Sequence, residues 1–203
     1  MEKYKFTAKT KEAAKEQALY ELKTEENNII YETKEVKSGL FGKKIEMEVI
    51  KKEDIIELIK EILLNITSKM VIDAKVELKN REDSLNIIIY CDQNALLIGK
   101  QGKNLQALNI ILKQIVLQEV GQPFKFNLDV GEYKLKRQKE LERLAKRTAR
   151  EVAKTKIEAT LDSMNSYERR IVHNALNDWR DVYTESTGEE PNRCVVIKPK
   201  ENK

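Results

Sequence analysis

Histidine occurs once and cysteine twice in these 203 residues. Cys91 and Cys194 stand far apart and match no metal-ligand spacing, so a reducing cytoplasm is the simplest expected setting. His173 is the single imidazole; no nucleophile–base pair or metal spacing appears, no cofactor is implied, and an enzyme is the least supported class. No apolar run is long enough to span a bilayer. The opening MEKYKFTAKTKEAAKEQ lacks the apolar core of a signal peptide. Aromatic residues make up 6% of the chain, which leaves few platforms on which bases could stack.

What is present is charge. Hydrophobic residues are 40% and charged residues 35%, the composition of a folding chain with modest cores and a heavily solvated surface. The net charge of +4 tilts towards anionic partners. It is unevenly placed: residues 1–52 carry +2, residues 53–130 carry −2 and residues 131–203 carry +4.

The same three segments differ in pattern, and the expected fold class is α+β, three small α/β domains in series. Residues 1–52 read strand, helix, strand, strand. Thr10 is placed to cap a helix with Ala14, Ala18 and Leu22 on one face. Ile45, Met47 and Val49 alternate with Glu46 and Glu48 in a strand. The glycines of the intervening KSGLFGKK suit a hairpin loop, whose tip residues Leu40 and Phe41 would suit a contact with a protein or a neighbouring domain. Almost no linker separates this segment from residues 53–130, so the two should sit close together. There Asp54 and Glu57 resemble a capping box before a stripe of Ile56, Ile59, Leu63 and Ile66. An alternating strand, VIDAKVELK, follows. LNIIIYC then reads as a strand in the middle of a sheet. A short helix, a second G-x-x-G, a helix with Leu105, Leu108, Leu112 and Ile115, and the strand FKFNLDV complete the segment.

The second G-x-x-G, in LLIGKQGKNLQAL, differs from the first because it stands between helices. Gly99 and Gly102 leave its backbone open to close approach, and the next helix supplies unpaired N–H groups. Lys100 and Lys103 add positive charge, so a nucleic-acid backbone has reason to lie there. Leu97, Ile98 and Leu105 could wall a groove for bases. A Walker loop is excluded, because it needs glycine at Leu97 and Ser or Thr at Asn104. The alternative is a helix–turn–helix joint with packing glycines. The element order resembles the type II K-homology (KH) arrangement, whose loop clamps about four nucleotides.

Residues 131–203 open with a helical stretch reaching TKIEATL. Lys136, Lys139, Arg143, Arg147, Arg150 and Lys154 step by three or four residues, a basic stripe roughly 27 Å long. It suits either phosphates or a solvated face paired with Glu140 and Glu151. In NSYERRIVHNALNDW, Asn165 and Glu168 form a capping box, and Val172, Ala175, Leu176 and Trp179 form the buried face. Arg169 and His173 stand one turn apart at its edge, two donors suited to a phosphate or a base edge. Two strands around a turn at Gly188 to Pro191 follow.

YERRIVHNAL followed by TGEEPNRCVVIKP resembles the R-x-x-x-H (R-three-H) domain. With the KH loop and KSGLFG, the whole chain resembles the bacterial Jag family, also called KhpB or SpoIIIJ-associated. The resemblance implies a Jag N-terminal domain (1–52), a type II KH domain (53–130) and an R-three-H domain (131–203). It implies that Ile98, Gly99, Lys100, Gln101, Gly102 and Lys103 clamp single-stranded RNA, with Arg169 and His173 as a second contact and Arg143, Arg147 and Arg150 in support. It further implies a cytoplasmic RNA chaperone or post-transcriptional regulator, linked to cell elongation and envelope homeostasis. A small single-KH protein, KhpA, is the implied protein partner, and self-association stays open. The chain departs from the family pattern at Cys194 and Ser163, where arginine and proline usually stand. The alternative function is a protein-interaction scaffold using the KH and R-three-H folds for dimerisation or docking.

Overall fold

The structure, a computed structural model, describes residues 1–38, 42–81 and 84–200. The tip of the first G-x-x-G, with Leu40 and Phe41, lies outside them. The chain divides into two compact units, one of residues 1–97 and 104–128, the other of residues 98–103 and 129–203.

In the first unit, β1 (Tyr4–Ala8) and β2 (Ile29–Ser38) flank β3 (Gly42–Lys51), both antiparallel to it. The β2–β3 register runs to Ser38 opposite Gly42, a hairpin as the glycines suggested. α1 (Lys11–Glu21) is capped by Thr10, whose Oγ1 accepts from the Ala13 N–H at 3.2 Å. Ala14 and Ala18, fully buried, bring this helix close to Phe6, Met47 and Val49. Met47 and Val49 face inward, while Glu46 and Glu48 face lysines on β1 and its approach.

β3 runs into α2 (Lys52–Lys69) without a linker. The expected capping box does not form: the cap position is Lys51, with no side-chain hydrogen bond. Helix begins as soon as the strand ends, which puts Asp54 inside the first turn, where its charge still suits the helix N-terminus. The buried stripe is accordingly Ile55, Ile59, Leu63 and Thr67, with Ile56 and Ile66 only half-buried.

A second sheet has the order β4 (Ala74–Arg81), β5 (Ser84–Cys91), β6 (Phe126–Val130), so LNIIIYC occupies the middle as expected. Leu85, Ile87 and Ile89 point into the core. α3 (Asn94–Ile98) and α4 (Lys103–Val120) connect β5 to β6 along the chain. α4 buries Leu105, Leu108, Leu112, Val116 and Val120, with Ile115 at the margin.

The second unit is built on α5 (Tyr133–Thr155), α6 (Ser166–Leu176) and a sheet of order β7 (Ala159–Thr160), β9 (Cys194–Pro199), β8 (Val182–Thr187). α5 stops at Thr155, short of the expected helical stretch. Lys156 takes a left-handed conformation (φ 60°), and the chain then adds β7 to β9. Leu141, Ala145, Ala149 and Val152 of α5 pack with Val172 and Leu176 of α6 and with Val182, Val195 and Ile197 of the sheet.

Candidate nucleic-acid interface

The loop between α3 and α4 is built from unusual backbone. Gly99 lies at φ 70°, ψ −179°, a region open almost only to glycine. Gln101 (φ 53°) and Gly102 (φ 78°) are left-handed as well. Three such residues in four hold a tight 3₁₀ turn, closed by the Gly102 N–H donating to the Gly99 carbonyl at 3.3 Å. Asn104 ties off α3 by donating from Nδ2 to the Leu96 carbonyl at 2.8 Å. Its amide thereby takes up one of the carbonyls that a helix end leaves unpaired.

Lys100 and Lys103 are exposed, and among the described residues neither has an ion pair. Ile98, Gly99, Gln101 and Gly102 are half-buried. The expected apolar groove needs correcting. Leu97 and Leu105 are buried in the core, so of the three residues named for it only Ile98 reaches the surface. The amphipathic turns of α3 and α4 point both leucines inward, and Leu96 is the exposed one.

Within the second unit this loop meets α5. The ring of Tyr133 stands 2.8 Å from where a Cβ on Gly102 would lie. Among the described residues the buried Tyr133 hydroxyl has no hydrogen-bond partner, and burial pushes its pKa upward. Gln101 Nε2 reaches Asp162 Oδ2 at 3.5 Å, the outer limit of a hydrogen bond. Sequence patterning gives no signal of Tyr133, because the contact joins residues far apart in the chain.

The basic stripe of α5 is exposed at each of its six positions, and Lys146 adds to its margin. Lys136, Lys139, Arg143 and Arg147, with Glu140 and Leu144, line a shallow groove of about 480 Å³. The expected competitors do not neutralise it. Glu140 accepts from Arg137 at 3.0 Å, and among the described residues Glu151 and Arg143, Arg147 and Arg150 form no ion pair. Arg137, off the stripe, also reaches the buried Glu168 at 2.8 Å. Glu168 in turn closes the capping box with Asn165, as expected.

Of the two donors expected on a half-exposed face, His173 is half-buried as the sequence suggests, whereas Arg169 is buried. Arg169 is 8% exposed, and its Nη1 donates to the Met164 carbonyl at 2.7 Å and to Glu190 Oε1 at 2.8 Å. His173 Nδ1 lies 2.6 Å from Thr184 Oγ1 and Nε2 lies 2.8 Å from Ser186 Oγ. Hydroxyls donate or accept as needed, so a neutral imidazole is fully satisfied there. Burial, helped by the charge of Arg169, holds the His173 pKa below its ordinary value. The burial of Arg169 was not legible, because the sequence does not show that the Met164 carbonyl and Glu190 meet this side of α6. Cys91 and Cys194 are both free. Among the described residues no group of three metal-ligating side chains assembles, and no helix is long and apolar enough to cross a membrane.

A KH domain family model matches residues 54–122 and an R-three-H domain model residues 139–199. The RNA-binding protein KhpB of Clostridium symbiosum is 36% identical over 197 residues, covering 94% of this chain and 89% of that protein. The KhpB protein of Bacillus subtilis (strain 168) is 33% identical over 165 residues, 80% of this chain and 79% of its own length. That of Lactiplantibacillus plantarum is 36% identical over 125 residues but spans only 38% of its length. With an α+β fold carrying KH and R-three-H domains in series, and with relatives matched over most of both chains, this chain belongs to the KhpB family.

Proposed function

We propose that this chain binds single-stranded RNA through the loop Ile98, Gly99, Lys100, Gln101, Gly102 and Lys103 and through Arg143, Arg147 and Arg150, without converting it chemically. Its main support is the loop itself: left-handed backbone at Gly99, Gln101 and Gly102, with two lysines unpaired among the described residues, inside the segment matched by the KH model. Unusual backbone of this kind clusters at binding and switch sites. The three arginines supply the sequence-independent share of the attraction. Arg169 and His173 enter as the pair that holds α6 to β8 and to Glu190. The family implies action as a cytoplasmic RNA chaperone or post-transcriptional regulator, in cell elongation and envelope homeostasis, together with the single-KH protein KhpA. The three domains proposed for this work are residues 1–52, 53–130 and 131–203.

A scaffold role is the second reading, favoured by Ile110 (59% exposed), Ile111 (52%) and Leu117 (37%) on the outer side of α4. RNA titration separates the two. Lys100→Asp with Gln101→Asp puts two carboxylates in the path of a phosphodiester and should weaken RNA binding at least tenfold, about 1.4 kcal/mol. Lys43→Ala with Lys44→Ala, beside the other G-x-x-G, should leave it unchanged, since Lys43 already pairs with Glu35 at 2.9 Å. An unaltered isotherm for the carboxylate variant removes the loop from the RNA site.

A further inference from the structure

α6 carries two parallel pairs with the same spacing, one residue out of step. Arg169 is buried and His173 half-buried, and the polar atoms of both are engaged within the fold. Arg170 and Asn174 follow each of them by one residue, about 100° further round the helix, and both are exposed. Tyr167, three residues before Arg170, lies on the same outer face and is 61% exposed. Among the described residues the side chains of Tyr167, Arg170 and Asn174 make no hydrogen bond or ion pair. Two lysines of this unit are by contrast occupied: Lys198 pairs with Glu185 at 2.6 Å, and Lys136 donates to the Gly131 carbonyl at 2.9 Å.

We infer that the outward row Tyr167, Arg170 and Asn174, rather than Arg169 and His173, is where α6 meets RNA. The inference rests on the RNA-binding reading above and adds to it a site that takes an unstacked base. The three side chains supply complementary chemistry. A tyrosine ring standing in solvent offers a face on which any base can stack. The guanidinium one turn away suits the adjoining phosphate, with donors in a planar fork. The amide at Asn174 both donates and accepts, which suits a base edge. The row is about 10 Å long at the helical rise, room for about three base steps of about 3.4 Å. The inner pair contributes by position, because it fixes α6 against β8 and the turn carrying Glu190.

The test uses the full chain and a short mixed-sequence RNA single strand carrying 2-aminopurine, followed by anisotropy and by quenching of the base on stacking. Tyr167→Ala should weaken binding about 5- to 150-fold and abolish the quenching. Tyr167→Phe, which keeps the ring face, should retain both. Arg170→Gln should flatten the slope of log affinity against log salt by about 0.7. These side chains are exposed, so thermal melting should be unchanged. Wild-type affinity and quenching in Tyr167→Ala would overturn the inference while leaving RNA binding in place. So would a loss in Tyr167→Phe equal to that in Tyr167→Ala. A wild-type chain that binds no RNA would overturn both proposals.

Discussion

Tyr133 occupies the space that any side chain at Gly102 would need, its ring carbon 2.8 Å from the position of a Cβ there. Glycine at this point therefore serves packing as well as backbone conformation. Gly102→Ala must move the ring and hold a left-handed alanine, which costs about 1–2 kcal/mol for the conformation alone. Urea denaturation should show at least that loss, and RNA affinity should fall with it as the loop shifts. Tyr133→Phe should act in the opposite direction. It removes a buried hydroxyl that has no partner among the described residues, and a gain of about 1 kcal/mol is expected.

The arginines of α5 should act through counterion release. Each phosphate neutralised on a single strand contributes about 0.7 to the slope of log affinity against log salt. Replacing Arg143, Arg147 and Arg150 together by alanine should flatten that slope by roughly two units and weaken every RNA sequence alike. A wild-type slope in the triple variant would return the stripe to a solvated face.

His173 should make the second unit acid-sensitive. Its folded-state pKa lies below the ordinary value of 6.5, so the unfolded chain takes up the proton first. The stabilising share of the neutral imidazole is complete above about pH 6.5 and is lost as the pH falls from there through the folded pKa. Stability measured from pH 7.5 downward should decline in that window, and His173→Gln should flatten the decline. A proton NMR titration placing the His173 pKa at or above its unfolded value would refute the assignment. The same depression means that mild acid near pH 6 gives less positive charge here than the sequence suggests.

Val71 closes α2 in a conformation that β-branched residues rarely adopt, with φ 60° and 86% of its surface exposed. Its N–H donates to the Ser68 carbonyl and that of Ile72 to the Thr67 carbonyl, bonds that a glycine would keep. Val71→Gly removes the steric cost of about 1–2 kcal/mol and adds about 0.5–1 kcal/mol of lost chain entropy. A net gain of about 0.5–1 kcal/mol is expected, read as a higher urea midpoint at an unchanged slope.

Much of this molecule was legible from local pattern. The alternation of Met47 and Val49 with Glu46 and Glu48, the Asn165–Glu168 capping box and the central position of the apolar run LNIIIYC all follow from local signals that a chain carries by itself. The glycines of IGKQG announced a tight turn with open backbone, and its left-handed conformation at Gly99, Gln101 and Gly102 came only with the structure. Local pattern erred where two elements compete for the same residues. Helix α2 starts at Lys52 because β3 delivers the chain there, so Asp54 cannot cap, and α5 ends at Thr155 because β9 has an edge for Ala159 and Thr160 to join. Tertiary structure alone decided which donors are free. Arg169 and Arg170 are adjacent and chemically identical, yet Glu190 and the Met164 carbonyl claim one, while the other faces solvent without a partner among the described residues. Hydrogen-bond partners and desolvation come from residues distant in sequence, and they are what separates a guanidinium that holds the fold together from one left free to meet a ligand.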